Sequence, residues 1–249
     1  MITIKSEREM EIMRRAGRIV SRLLEAVRDE VKPGVTTADL DRFAEAFIRK
    51  EGGIPAFKGY CGFPASICAS INDEVVHGIP GKRALKSGDI IGVDVGAIVE
   101  GFYSDAARTF GVGAVDEEKR RLIEVTDIAL AKGIEKAIAG NRISDISHAV
   151  QSYVEKQGLE VVRQYVGHGI GTQLHEEPQV PNFGKPNQGP TIKAGMALAI
   201  EPMVNAGTHK VVLGEDGWTV RTQDGRPSSH FEDTVLITGE RTEILTRNA

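Results

Sequence analysis

A chain of 249 residues, 41% of them hydrophobic, holds enough apolar material for one large domain or two small ones. No run of about eighteen apolar residues occurs, and the charges in MITIKSEREMEIMRR stand where a signal peptide needs its apolar segment, so neither a membrane span nor export is indicated. With 35 Asp and Glu against 31 Lys and Arg, the net charge of −4 argues against specific nucleic-acid binding, and two cysteines, Cys61 and Cys68, are too few for a disulfide framework and point to a reducing cytoplasm.

Residues 6–31 carry apolar side chains at Ile12, Ala16, Ile19, Val20, Leu23, Leu24 and Val27, the period of an amphipathic helix. Ser6 and Glu9 form its capping box, and Lys32-Pro33-Gly34 stops it. A second helix is expected over 37–51, then strands around 65–71 and 89–110, the latter turned back on itself at Glu100-Gly101. Residues 117–139 and 145–157 read as two more helices, and 196–204, 210–213, 218–222 and 231–238 as strands.

The order helix, helix, sheet thus occurs twice. Sliding the chain by 106 residues sets Asp39-Leu40 on Asp145-Ile146, Phe47-Ile48 on Tyr153-Val154 and Gly52 on Gly158. Sliding it by 107 sets KSGDIIGVD on KAGMALAIE, which places Glu201 opposite Asp94. The expectation is one catalytic domain, 1–249, made of an α/β unit duplicated over roughly 6–110 and 117–238. A pseudo-twofold axis would bring the two acids to one central site.

Asp94 sits in the apolar run 89–99, and a buried carboxylate costs several kcal/mol unless it is paired or binds a metal. Asp105 raises the same problem on the second arm. Other candidates are His168 and His175 in GHGIGTQLHEEP and Glu232 in HFEDTVLIT. Taken singly, a lone His is usually a hydrogen-bonding residue and a strand-end acid is usually solvated. Taken together, Asp94, Asp105, His168, Glu201 and Glu232 are a hard, oxygen-rich ligand set whose four negative charges repel one another without cations. Two divalent ions would cancel them, and setting those four acids aside leaves 31, equal to the 31 Lys and Arg. Such a pair of ions, about 3.5 to 4 Å apart, points to metal-assisted hydrolysis.

The series VDVG…D, GHGIG…HEEP, AIEP and FEDT, in this order over nearly the whole chain, resembles type I methionine aminopeptidases in their short bacterial form. The resemblance implies the pita-bread fold, an α/β (α+β) arrangement of two pseudo-twofold-related halves around a dimetal site. It implies removal of initiator methionine from peptides and nascent chains when the second residue is small. It implies Asp94, Asp105, His168, Glu201 and Glu232 as ligands of two ions (Co, Mn, Fe or Zn), with Asp94 and Glu232 bridging and Glu201 also the general base. His175 would polarise the scissile carbonyl and His77 would meet the scissile nitrogen. The methionine pocket maps onto Tyr60, Phe63, Cys68 and Trp218, with Phe57 and Leu174 at two places where family members carry Cys and Phe. Gly96 replaces a frequent Thr. A cytoplasmic monomer that touches the ribosome transiently, with no membrane partner, completes the picture.

Three other readings compete. A proline-directed peptidase of the same fold usually has an extra N-terminal domain, whereas 76 residues precede His77. A non-catalytic, partner-binding relative is expected to lose ligands. A metal-free protein whose acids pair with Arg108 would be indifferent to a chelator.

Overall fold

The computed structural model describes residues 1–239 and 241–247. In chain order the first half contains α1 (Glu7–Glu30), α2 (Thr37–Lys50), β1 (Ile54–Pro55), β2 (Ile67–Ile71), β3 (Glu74–Val76), β4 (Ile90–Val99) and β5 (Phe102–Gly111). The second contains α3 (Glu117–Ile134), α4 (Ile143–Lys156), β6 (Glu160–Val161), β7 (Gly167–Gly169), β8 (Glu176–Val180), β9 (Ala197–Ile200), β10 (Met203–Asn205), β11 (Val211–Leu213), β12 (Val220–Thr222), β13 (Ser228–His230), β14 (Glu232–Ile237) and β15 (Thr242–Ile244).

The β4–β5 hairpin is the longest pairing, running from Ile90 opposite Gly111 to Val99 opposite Phe102. Its loop is the two residues Glu100 and Gly101, with φ of +47° and +82°. Positive φ at both positions matches the right-handed twist of the arms, which is why the turn expected here is so tight. The hairpin belongs to a nine-stranded sheet in the order β1-β4-β5-β14-β9-β7-β8, with β2 on β4 and β15 on β14. Two three-stranded sheets, β13-β10-β6 and β11-β12-β3, stand beside it.

Alternation divides the large sheet into two faces. Ile91, Val93, Val95, Ala97 and Val99 pack with Ala16, Leu23 and Val27 of α1 and Leu40 and Ile48 of α2 in one core. Leu198 and Ile200 of β9 and Val235 and Ile237 of β14 pack with Leu130 of α3 and Ile146 of α4 in another. The helices therefore seal one face, and the residues of opposite parity, Asp94 among them, look the other way. No described helix is long and apolar enough to cross a membrane.

Several boundaries differ from the sequence reading for local reasons. Helix α3 ends at Ile134 instead of 139 because Lys136 and Ala137 bond three residues back, to Gly133 and Ile134, tightening the chain out of α-geometry. Helix α4 starts at Ile143 because Asp145 is its cap partner, its carboxylate accepting the Arg142 N–H at 2.8 Å. The single strand expected over 196–204 is two, β9 and β10, parted at Glu201-Pro202, since a proline has no N–H for the ladder. That break leaves Glu201 at a strand end.

The two halves share a bonding pattern. Gly34 donates to the Leu85 carbonyl and Gly140 to that of Ile192; Thr37 donates to Arg83 and Ile143 to Pro190; Leu85 donates to Val35 and Ile192 to Asn141. Isolated bridges join Thr36 to Ala84 and Arg142 to Thr191. Each pair is displaced by 106 residues on the helix side and 107 on the strand side.

Candidate metal centre

Register alone gathers the acids. Asp94 pairs with Ala107, and Ala107 with Glu232, so these side chains share a face of β4, β5 and β14, and Asp105 joins them two residues from Ala107. His168 pairs with Ala199 on β9, two residues before Glu201. Because Asp233 pairs with Ile200, Glu232 and Glu201 come opposite one another as that register continues. Five side chains from both halves thus converge on the face that the helices leave free.

Their burial makes this electrostatically demanding. Asp105, Glu232 and His168 are buried and offer ligand atoms within 4.8 Å of one another. His168 Nδ1 donates to the Gly169 carbonyl at 2.9 Å, which leaves Nε2 with its lone pair. That lone pair faces Asp105 Oδ2 at 3.8 Å and Glu201 Oε1 at 3.7 Å. Three acceptors turned toward one point suit a cation between them. Asp94 Oδ1 and Glu232 Oε1 are buried with no hydrogen-bond partner, the mark of oxygens meant for something other than protein.

Without such a cation all four carboxyls are pushed above the usual carboxylate range. Burial first, and then Asp105 and Glu201, push Asp94 well above the usual carboxylate range. Glu232 is driven up by burial and by Asp105, Glu201 and Asp94. Glu201 is raised to about 8, burial outweighing the help of His168. Asp105 is raised by burial, with His168 and a 3.3 Å hydrogen bond from Thr234 Oγ1 working against the shift. Divalent charge would reverse all four shifts.

Beside this cluster opens a cavity of about 300 Å³. All thirteen site residues expected from the sequence line it, so polar and apolar candidates belong to one place: Phe57, Tyr60, Phe63, Cys68, His77, Leu174, His175 and Trp218 stand against Asp94, Asp105, His168, Glu201 and Glu232. Phe63 meets Trp218 edge-on with ring centroids 5.1 Å apart, and His77 meets Trp218 at 6.5 Å. The His175 ring is 4.4 Å from that of His168, and its Nδ1 lies 2.8 Å from the Tyr60 hydroxyl. Burial lowers His77 and His175 each to about 4, so both are neutral imidazoles near pH 7. His77 also has φ of +60°, an uncommon backbone state for a residue with a Cβ.

Residues 11–239 match the model of metallopeptidase family M24. The chain belongs to metallopeptidase family M24. Within the family it is similar to a methionine aminopeptidase of Clostridium acetobutylicum, 58% identical over 247 residues and 99% of each chain. Methionine aminopeptidase 1 of Bacillus subtilis is 53% identical over 99% of this chain and 100% of its own. The crystal structure of a methionine aminopeptidase from Thermotoga maritima superposes with a TM-score of 0.98 at 47% identity, covering 100% of both chains.

The M24 site of this chain includes groups that the sequence did not single out. Cys61, exposed and with φ of +49°, is at the cavity wall. His230 is buried, its Nε2 unpartnered and 3.5 Å from Glu201 Oε2. Burial lowers it to about 3. The Asn182 amide donates to the Glu201 carbonyl at 2.9 Å. His230 lies two residues before Glu232 in HFEDT, and that adjacency was the one signal available. Arg108, the alternative partner for the acids, faces the other way. It donates to the Glu232 carbonyl and, at 2.5 Å, to Asp233 Oδ1, whose carboxylate lies on the opposite face of β14 from Glu232.

Proposed function

We propose that this M24 chain is a dimetal exopeptidase that removes the initiator methionine from nascent proteins and peptides when the second residue is small. The observation that carries this reading is the cavity itself, where four carboxylates and an imidazole border directly on an apolar wall. Full-length identity to methionine aminopeptidases favours it over a proline-directed peptidase or a non-catalytic relative.

Asp94, Asp105, His168, Glu201 and Glu232 would hold two divalent ions, the unpartnered oxygens of Asp94 and Glu232 being free for them, and Co, Mn, Fe and Zn all suit the set. Bound ions supply Lewis-acid polarisation of the scissile carbonyl and acidify a water. Glu201 accepts a proton from the attacking water. Because Tyr60 O–H can donate to His175 Nδ1, His175 carries its N–H on Nε2 and hydrogen-bonds the developing oxyanion through it, the proton staying on the ring. His77 meets the scissile nitrogen. Phe57, Tyr60, Phe63, Cys68, Leu174 and Trp218 receive the methionine side chain, whose polarisable sulfur packs well at ring edges. A free α-amine pairs with the carboxylates, so a formylated terminus is refused.

The chain acts as one catalytic domain of two related halves, a reading that the paired hydrogen bonds at offsets of 106 and 107 support. Its setting is the cytoplasm, where nascent chains offer the substrate, as a monomer in transient contact with the ribosome.

Tripeptides X-Ala-Ser and Met-Y-Ser, assayed with Co, Mn, Fe or Zn added, test the assignment. Methionine should leave fastest, and Y = Gly, Ala or Ser should far outrun Y = Lys. Faster release of Leu or Pro than of Met, or equal rates for Y = Ala and Y = Lys, would overturn it.

A further inference from the structure

Gly96 is in the middle of β4, on the same face as Asp94 and opposite Asp105. Its φ is not in the left-handed region, so nothing in the backbone demands glycine. The demand comes from what lies on it. The Gly96 carbonyl accepts the Ala56 N–H at 3.0 Å, which holds the segment around β1 tightly along β4 and lays Phe57 over the glycine. A Cβ at position 96 would stand 2.8 Å from Phe57 Cε1 and 2.8 Å from Ala56 Cβ, closer than real Cβ atoms come, and a tight 3.3 Å from Phe57 Cζ. Gly92, the preceding glycine on the same face, is a control: its nearest neighbour would be Thr109 Oγ1 at an ordinary 3.7 Å. Of the two β4 glycines on this face, Gly96 is the one packed too closely for a Cβ.

Phe57 is buried, packs in one cluster with Phe63, Cys68 and Leu174, and its side chain lines the cavity. We propose that Phe57 and Gly96 are one size-matched pair that closes the side-chain pocket: the missing side chain at 96 seats the Phe57 ring, and the seated ring sets how long a substrate side chain fits. Any side chain at 96 would push residues 56 and 57 into the pocket or out of it. The absence of a hydroxyl two residues after Asp94 is then a consequence of the ring's seat. This inference rests on the cavity taking the substrate's first side chain.

The test compares wild type, Phe57→Ala, Gly96→Ala and the double variant by melting temperature, and by kcat/KM on Met-Ala-Ser and ethionine-Ala-Ser; ethionine is methionine with one more methylene. A methylene in an apolar pocket is worth about 10- to 200-fold. Phe57→Ala should raise the ethionine-to-methionine ratio about tenfold. Gly96→Ala should lower kcat/KM for methionine about tenfold and depress the melting temperature, and both losses should shrink at least threefold when Phe57 is absent. Equal losses in both backgrounds, or an unchanged ethionine ratio, would overturn the pair. If Phe57→Ala does not fold, Phe57→Leu takes its place. A wild type inactive on methionine peptides would remove the proposed function, and the melting-temperature cycle would still decide the pairing.

Discussion

His230 Nε2 stands 3.5 Å from Glu201 Oε2, while His168 Nε2 stands 3.7 Å from Glu201 Oε1, so one carboxylate lies between two imidazoles. The backbone of His230 is itself fixed: Thr109 Oγ1 accepts its N–H at 3.0 Å and donates to its carbonyl at 2.9 Å. Groups that orient a ligating side chain typically matter by about 10- to 100-fold in metal affinity or activity. His230→Ala should therefore weaken Mn binding by roughly that factor in calorimetry on metal-free protein and lower kcat with little change in KM. His230→Gln, which keeps a donor, should recover most of the loss. If leucine there serves as well as glutamine, the histidine only fills space.

The proposed function gives Asp94 and Glu232 a different role from His175. Asp94→Asn and Glu232→Gln should leave the fold largely intact and nearly abolish hydrolysis, with metal content reduced. An Asp94→Asn protein that keeps a tenth of kcat with unchanged metal would count against a bridging role. His175→Ala should keep its metal and lose about a hundredfold or more in kcat, the size expected for one lost oxyanion donor. Metal analysis beside single-turnover rates separates the two patterns.

Removing the metal should make stability fall as pH rises. Glu201 goes from an ordinary 4.5 to about 8 in the folded, metal-free protein. A folded-state pKa above the unfolded one means that its stabilising contribution is complete below about 4.5 and is lost as pH climbs through about 8. Urea unfolding of chelator-treated protein at pH 5, 6.5 and 8 should show this decline, and Glu201→Gln should flatten it. Added Mn should abolish the trend, because the carboxylates are then wanted ionised. A metal-free protein equally stable at pH 5 and 8 would contradict the crowding of buried acids.

The helices, the hairpin and the acids were legible in the sequence because each leaves a local trace. Apolar spacing and the Ser6–Glu9 box marked α1, whose cap has the Glu9 carboxylate accepting the Ser6 N–H at 2.7 Å. Glu100-Gly101 marked the turn, and an acid inside an apolar run marked Asp94. Strands of two or three residues, such as β1, β3, β6 and β7, are too short to display any period and are defined only by the ladder partner that the fold sets beside them. The same holds within the site. That Glu232 faces Asp94 across Ala107, that His230 reaches Glu201, and that Phe57 occupies the space over Gly96 are contacts between residues 29 to 138 positions apart. Single-chain spacing carries no record of them, since sheet register and close packing bring such residues together only when the whole sheet has formed.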